Sequence, residues 1–482
     1  MPRFDILGHS WLTWLGWVWA GYAIVLAVWI VLQKRSPVAT LSWIMLLTLM
    51  PVIGLAVYAY FGPHRIKRAR LKRWHSQAML LTRQELQRLR ADPSAAPEWA
   101  IQHARLIENC CGLRLSSCES IDILPSGGAT LDALLQAIDA AQKHIHLEYY
   151  IFSLDTTGRA LLQALTAKAA RGVVVRLLVD AIGSPRMASR RGAPELKAFR
   201  DAGGHFAVFH PARLDRFRPL VNLRTHRKIV VCDGHVGFLG GINITDDENE
   251  RVTPERAYRD THLRLAGGAV RWLQYLFLQD WHYATNSALP ADDMLPPGLA
   301  QGSRPVQIVA SGPDTDGEAI HRAVIDAIGM ARHRLLLATP YFVPTEAALA
   351  ALTNAALRGV QVKIMVPAMS DSRLVTAAAR SYFDELQKAG ILIFEYQGHM
   401  FHTKTLLADD HYGMVGSANF DNRSFRLNFE VAAIVLDQAF NQQLAQMFEH
   451  DLSSCRLAPI DRKLPAHQKL FEAVARLFSP LL

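Results

Sequence analysis

Two stretches near the start of the chain carry no charged residue: 22 residues at 11–32 and 24 residues at 39–62. As a helix rising about 1.5 Å per residue, either is long enough to match a hydrocarbon layer about 30 Å thick. Six of the 10 tryptophans (Trp11, Trp14, Trp17, Trp19, Trp29 and Trp43) fall in these stretches, where indole rings suit a headgroup boundary. The first is too long for the apolar region of a signal peptide and lacks a small-x-small cleavage site. The pattern therefore predicts a transmembrane helical hairpin. Further along, the period switches between strand and helix. A strand at 146–152 is followed by a helix at 160–170, the turn Arg171-Gly172-Val173 and a strand at 174–179. The same order recurs with an apolar run at 335–343, a helix, Arg358-Gly359-Val360 and a strand at 361–366. Each is a strand–helix–strand unit whose helix ends at glycine.

The recurrence is an internal duplication at roughly 180 residues, too long and too few in copies for a solenoid. Each copy opens similarly, with Leu124-Pro-Ser-Gly-Gly128 and Val309-Ala-Ser-Gly-Pro313, and each closes with Phe-x-x-Asp, at Phe277 to Asp280 and Phe448 to Asp451. Pro, Gly, Ala and Ser concentrate at 286–305, which reads as a connection. The expected fold class is α/β, with two lobes related by a pseudo-twofold axis and preceded by the helical hairpin. The expected divisions are the hairpin at 1–62, a basic juxtamembrane and linker region at 63–118, lobes at 119–285 and 306–455 joined by 286–305, and an amphipathic C-terminal segment at 456–482.

Hydrophobic residues make up 50% of the chain and charged ones 20%, which excludes a largely disordered protein. Arg65, Lys67, Arg68, Arg70, Lys72 and Arg73 follow the second apolar stretch, against Lys34 and Arg35 in the connecting turn. Positive charge marks the cytoplasmic side, so the rest of the chain is expected there, anchored in the inner membrane by two passes. The net charge of +9 favours an anionic partner, lipid or nucleic acid. The five cysteines show no C-x-x-C pair. Neither a zinc site nor a disulfide framework is expected, in keeping with a reducing compartment.

The chemistry concentrates in two matching motifs. His226, Lys228 and Asp233 form H-x-K-x4-D, and so do His402, Lys404 and Asp409; Gly240 and Gly416 follow each histidine by 14 residues, Asn243 and Asn419 by 17. Apolar residues after each lysine predict a strand, on which positions i and i+2 share a face. Each lobe can thus bring an imidazole, an ammonium and an amide to one point. A phosphodiester passing through a pentacovalent state needs charge stabilisation on its non-bridging oxygens, available from Lys228, Lys404, Asn243 and Asn419. It also needs a nucleophile and a proton donor on opposite sides of phosphorus, a division two histidines can make. All six motif residues enter the candidate catalytic set. The odd offset of seven points Asp233 and Asp409 away from the shared face, so they are expected to fix local structure. Asp260 and Glu430 are candidates for accepting a proton from the far nitrogen of their own lobe's histidine, setting its tautomer. No carboxylate cluster suited to Mg²⁺ accompanies the motifs, so neither metal nor other cofactor is expected.

These paired motifs, with their trailing G-x-x-N and G-S-x-N, resemble the phospholipase D superfamily over residues 120–451. The apolar N-terminal stretches, Asn222-Leu-Arg-Thr-His226, Tyr258-Arg-Asp-Thr-His262, Ala310-Ser-Gly-Pro-Asp314 and the ending Leu477-Phe-Ser-Pro-Leu-Leu482 narrow the resemblance to bacterial cardiolipin synthases. The resemblance implies that one phosphatidylglycerol forms a phosphatidyl-histidine with release of glycerol, and that a second phosphatidylglycerol then attacks to give cardiolipin. It implies His226 as nucleophile and His402 as general acid, then base. Gly241 stands where the second copy has Ser417, which leaves a hydroxyl contact to phosphate to the second lobe alone. The motifs hold a phosphoryl group and not the incoming alcohol, so a hydrolase or a transphosphatidylase using another acceptor shares them. A nuclease shares them too, but two spanning helices argue against nucleic acid as partner. Intact histidines and lysines in both lobes argue against a silent scaffold.

Overall fold

A computed structural model describes residues 11–33, 37–61, 98–189, 193–211, 223–287, 289, 294, 302–313 and 317–480. Lys34, Arg35, the basic run at 65–73, Asn222, Asp314, most of 286–305 and the last two residues lie outside the described residues. The chain divides into two compact units, Met1–Arg68 and Ala69–Leu482.

In the first unit, the helix Trp11–Val31 covers the first apolar stretch, but the second is split into Pro37–Leu49 and Pro51–Phe61. The break falls at Pro51, whose ring fixes φ and which has no N–H to continue the helical ladder. A side chain at Gly54 would meet the Leu46 carbonyl at 2.6 Å, so glycine lets the two pieces close up after the break. Tyr58 packs between the helices, with the rings of Trp29 and Trp43 edge-on at 5.5 and 4.9 Å. Among the described residues, no helix is long and apolar enough to cross a membrane.

The second unit holds the duplication. The first lobe is a seven-stranded sheet in the order Ser120–Leu124, His262–Ala266, Val236–Gly240, Ile229–Cys232, His144–Tyr149, Val174–Asp180, His205–Phe209. The second lobe repeats that order with Arg304–Ser311, Glu430–Val435, Tyr412–Gly416, Thr405–Ala408, Arg334–Ala338, Gln361–Pro367 and Leu392–Tyr396. In each, the last three strands are parallel and the other pairs antiparallel. Parallel pairing requires a crossover helix. Thr156–Ala170 and Glu346–Leu357 supply it, capped by the side chains of Asp155 and Thr345 and ended at Gly172 and Gly359, with φ of +87° and +94°.

Residues 98–118, expected as linker, are structural parts of the second lobe. The helix Glu98–Cys111 buries Ala100 and Ile107 among Ile320, Val324 and Ile328, and Ser116–Cys118 pairs antiparallel with Arg304–Ser311. The helices Val270–Thr285 and Gln438–Leu452 put Trp272, Phe277 and Phe448 into one apolar core that also takes Leu263 and Val431 from the two sheets. That shared core fixes the lobes face to face. Two reciprocal parallel bridges, Thr225 with Phe429 and Arg259 with Phe401, cross between them, as a pseudo-twofold arrangement requires.

Candidate active site

Each motif histidine sits just before its strand, not on it. Regular pairing begins at Ile229 and Thr405, so His226, Lys228, His402 and Lys404 occupy extended segments held by the opposite lobe. The His226 N–H donates to the Phe429 carbonyl at 2.9 Å, and the His402 N–H to the Arg259 carbonyl at 2.7 Å. Because these segments run alongside the stretches that carry Asp260 and Glu430, the carboxylates are exchanged. His402 Nδ1 lies 2.7 Å from Asp260, and His226 Nδ1 lies 3.1 Å from Glu430. The expectation that each carboxylate serves its own lobe's histidine is corrected by this crossing.

The partners of each Nδ1 set the tautomer. His226 Nδ1 faces the Glu430 carboxylate and the Ser417 carbonyl, both at 3.1 Å, and these groups only accept. Nδ1 therefore donates, leaving the Nε2 lone pair for chemistry. His402 Nδ1 has the Asp260 carboxylate at 2.7 Å and the Lys404 ammonium at 3.0 Å; the shorter contact is to the acceptor, which favours the proton on Nδ1 and leaves Nε2 facing the cavity. Both rings are kept neutral. Burial lowers the His226 pKa, with Glu430 opposing and Lys228 assisting. Burial and the Lys404 ammonium push His402 down to about 4, against the pull of Asp260. Burial would raise Asp260, but Lys404 and His402 more than offset it and hold it at about 2.

The histidines line a single cavity of about 430 Å³ with Asn243, Asn419 and Glu248. Asn419 lines this cavity at 5% exposure with its Oδ1 unpartnered; since Oδ1 only accepts, a phosphoryl oxygen can be met only by its Nδ2. Asn243 is already engaged, donating from Nδ2 to Glu248 at 2.7 Å and accepting from the Ile151 N–H at 3.2 Å. The lysines stand behind this wall. Lys228 donates to the carbonyl of His226 at 2.8 Å, and Lys404 to that of His402 and to Asp260. Burial lowers Lys228 to about 8, Glu430 opposing and Lys404 assisting.

Two expectations are corrected here. Asp233 and Asp409 do not belong with the catalytic groups: each accepts three backbone N–H groups, from residues 142–144 and 332–334, at φ of +55° and +52°. That is the local structural role their offset suggested. Ser417 is no phosphate contact, because it is fully buried and its hydroxyl donates to Glu430. Gly241, its counterpart, has no room for a side chain: a Cβ there would lie 2.2 Å from Asp260 Oδ1. Serine steadies one carboxylate and glycine admits the other.

Glu248 escaped the sequence reading. It accepts from the Asn243 N–H at 2.8 Å, as Ser424 accepts from the Asn419 N–H at 3.1 Å, each five residues after its asparagine. Aligning the copies five residues further would have exposed this difference. Burial and Asp260 raise Glu248 to about 7. Glu248, Asp260 and His402 offer ligand atoms within 4.8 Å of one another, a grouping that the spacing of the motifs does not display. Lys404 already meets the shared Asp260 carboxylate at 3.2 Å, so the positive charge a cation would bring is present as an ammonium. Tyr150 and Tyr258 were also missed; their rings lie 5.1 and 5.9 Å from those of His226 and His402.

Comparison with known proteins gives this geometry its family. The profile described as "Cardiolipin synthase, PLD-like domain" matches residues 134–256 and 324–452, one copy per lobe. The chain belongs to the cardiolipin synthase family. A second profile, "Phospholipase_D-nuclease N-terminal", matches residues 23–63. The cardiolipin synthase 2 of Bacillus anthracis is 37% identical over 463 residues, covering 94% of this chain and 88% of the relative. The cardiolipin synthase of Geobacillus kaustophilus is 36% identical over 470 residues, covering 95% and 92%. As a cardiolipin synthase family member, the chain is a phosphatidyltransferase enzyme. The crystal structure of phosphatidylserine synthase from Haemophilus influenzae superposes with a TM-score of 0.59 at 15% identity, covering 79% of this chain and all of that one. That likeness concerns the fold alone.

Proposed function

We propose that this enzyme makes cardiolipin from two molecules of phosphatidylglycerol through a phosphatidyl group carried on His226. Nε2 of His226 attacks phosphorus, forming the P–N bond as the P–O bond to glycerol breaks; His402, which takes up a proton on Nε2 as the anionic phosphodiester enters and is held as imidazolium by Asp260, gives that proton to the departing oxygen. The primary hydroxyl of a second phosphatidylglycerol then gives its proton back to His402 and attacks phosphorus, releasing His226. Lys228 and Lys404 supply positive potential behind the phosphoryl group, and Asn419 a hydrogen bond to it. Asp260 and Glu430 steady the imidazolium states that form in turn. The observation that carries this reading is that both imidazoles face one cavity, each with Nδ1 tied to a carboxylate of the other lobe. The shorter Asp260 bond suits His402 to the ring that must gain and lose a proton. Purified protein given phosphatidylglycerol alone should yield cardiolipin and glycerol. Phosphatidic acid as the main product would make water the acceptor and the enzyme a hydrolase.

We infer also that residues 11–32 and 39–62 anchor the enzyme in the inner membrane with the catalytic unit cytoplasmic. The charge-free lengths, the tryptophans and the basic run at 65–73 support this. A C-terminal reporter active only outside the inner membrane would overturn it.

A further inference from the structure

The helix Ala466–Leu477 uses only one side to pack. Ala475 is buried, and Ser479 just beyond the helix end is buried with it. The Tyr382 hydroxyl donates to Ser479 at 2.9 Å, and the Asn422 amide donates to the Ser479 carbonyl at 3.1 Å. The Arg476 guanidinium lies 4.2 Å above the Tyr382 ring and donates to Glu385 at 3.1 Å. The other side is apolar and open. Leu470, Phe471, Val474, Leu477 and Phe478 are 65, 50, 41, 77 and 43% exposed. Their spacing makes a stripe along one face, and a continuous exposed stripe of this size marks an interaction surface.

Its place in the fold says what it meets. The helix packs against Arg373–Arg380, and Val375 of that helix lines the catalytic cavity. Asn422, bonded to Ser479, directly follows Asp421, which lines it too. The apolar stripe is therefore one helix away from the active-site wall. A cavity of about 430 Å³ accommodates polar headgroups, so the acyl chains of the substrate must stay in a hydrocarbon phase outside it. Lys469, next to Leu470 on the helix, and Lys463, just ahead of it, are exposed, giving this end of the chain the sign of charge that an anionic lipid surface attracts.

We propose that the Ala466–Leu477 helix lies on the surface of an anionic phospholipid bilayer, apolar stripe inward, and so holds the cavity against the membrane while headgroups enter. This rests on the phosphatidyl-transfer reading for the nature of the substrate. The occupant is lipid, and neither a soluble protein nor a second copy of the chain.

The test uses the full chain carrying Phe471→Ser and Leu477→Ser, substitutions at exposed positions. Sedimentation with vesicles would be masked by an N-terminal anchor, so turnover is the readout, with phosphatidylglycerol offered as vesicles or as monomeric short-chain lipid below its critical micelle concentration. A bilayer-docking helix predicts a loss of about tenfold or more on vesicles and a change of less than about twofold on the monomeric lipid. Equal loss on both substrates assigns the helix to packing alone, and undiminished vesicle turnover removes its contact with lipid. A shift of the variant to a smaller species in solution would mean that a second copy covers the stripe. Each of these three results overturns the proposal. Product identity is read separately, so phosphatidic acid in place of cardiolipin would count against the transfer reading while leaving the vesicle-to-monomer ratio interpretable.

Discussion

His402 draws its carboxylate from the opposite lobe: its Nδ1 lies 2.7 Å from Asp260, 142 residues earlier in the chain. The reciprocal pair, His226 with Glu430 at 3.1 Å, makes each half of the site incomplete without the other half. Removing either carboxylate should therefore mimic loss of the orienting member of a triad, lowering kcat by about 10²- to 10⁴-fold with a much smaller change in KM. Steady-state kinetics of Asp260→Asn and Glu430→Gln check this. Asp260→Asn should be more sensitive to the leaving group, because it disarms the ring that protonates it.

The glycine–serine difference between the motifs follows from the same crossing. Gly241→Ser should be far more damaging than Ser417→Gly. The first pushes a side chain into the Asp260 carboxylate, 2.2 Å from where its Cβ would be; the second removes one hydrogen bond from Glu430, a loss of about 1.5–3 kcal/mol. Equal activity losses in the two variants would contradict the account.

Asp233 and Asp409 should matter to folding and not to chemistry. Each holds three backbone N–H groups, two of them at exposed positions where water can substitute. Asp233→Ala should thus lower stability by roughly 2–3 kcal/mol, seen as a fall in melting temperature. Asp233→Asn should do less harm, since asparagine tolerates the φ of +55° and can still accept. Adduct formation per folded molecule should be unchanged in both.

Glu248 should leave a signature in the pH dependence of stability. Burial and Asp260 hold its folded pKa up at about 7, against about 4.3 for an unfolded glutamate. The folded chain therefore binds the proton more tightly. Stability is lost as pH rises from near 4.3 through 7, and the loss is complete above that. Glu248→Gln removes this titration, so its melting temperature should fall less than the parent's between pH 5 and 8. Parallel falls in the two proteins would remove Glu248 from that role.

Much of this was readable in the chain. The duplication, the strand–helix–strand units, the glycines that end their crossover helices and the paired H-x-K motifs depend on local spacing, and local spacing is what a sequence displays. The crossing of Asp260 and Glu430 was not, because it depends on which extended segments pair between lobes, and the bridges Thr225–Phe429 and Arg259–Phe401 have no periodic signature. Residues 98–118 read as linker since an edge strand of three residues is too short to register. Pro51 is a helix breaker that the charge-free run around it conceals. Glu248 lay within an acidic run that looks like a solvated turn until the Asn243 N–H that donates to its carboxylate is seen.

The central claim is a division of labour between two histidines that their motifs make look equivalent. Trapping with labelled phosphatidylglycerol, followed by peptide mapping under conditions where phosphohistidine survives, tests it most directly. The account predicts an adduct on His226 and none in His226→Ala. It further predicts that His402→Ala regains adduct formation when a nitrophenyl phosphodiester, whose leaving group needs no proton, replaces the lipid. An adduct on His402 would reverse the roles, and no adduct on either residue would contradict the two-step mechanism.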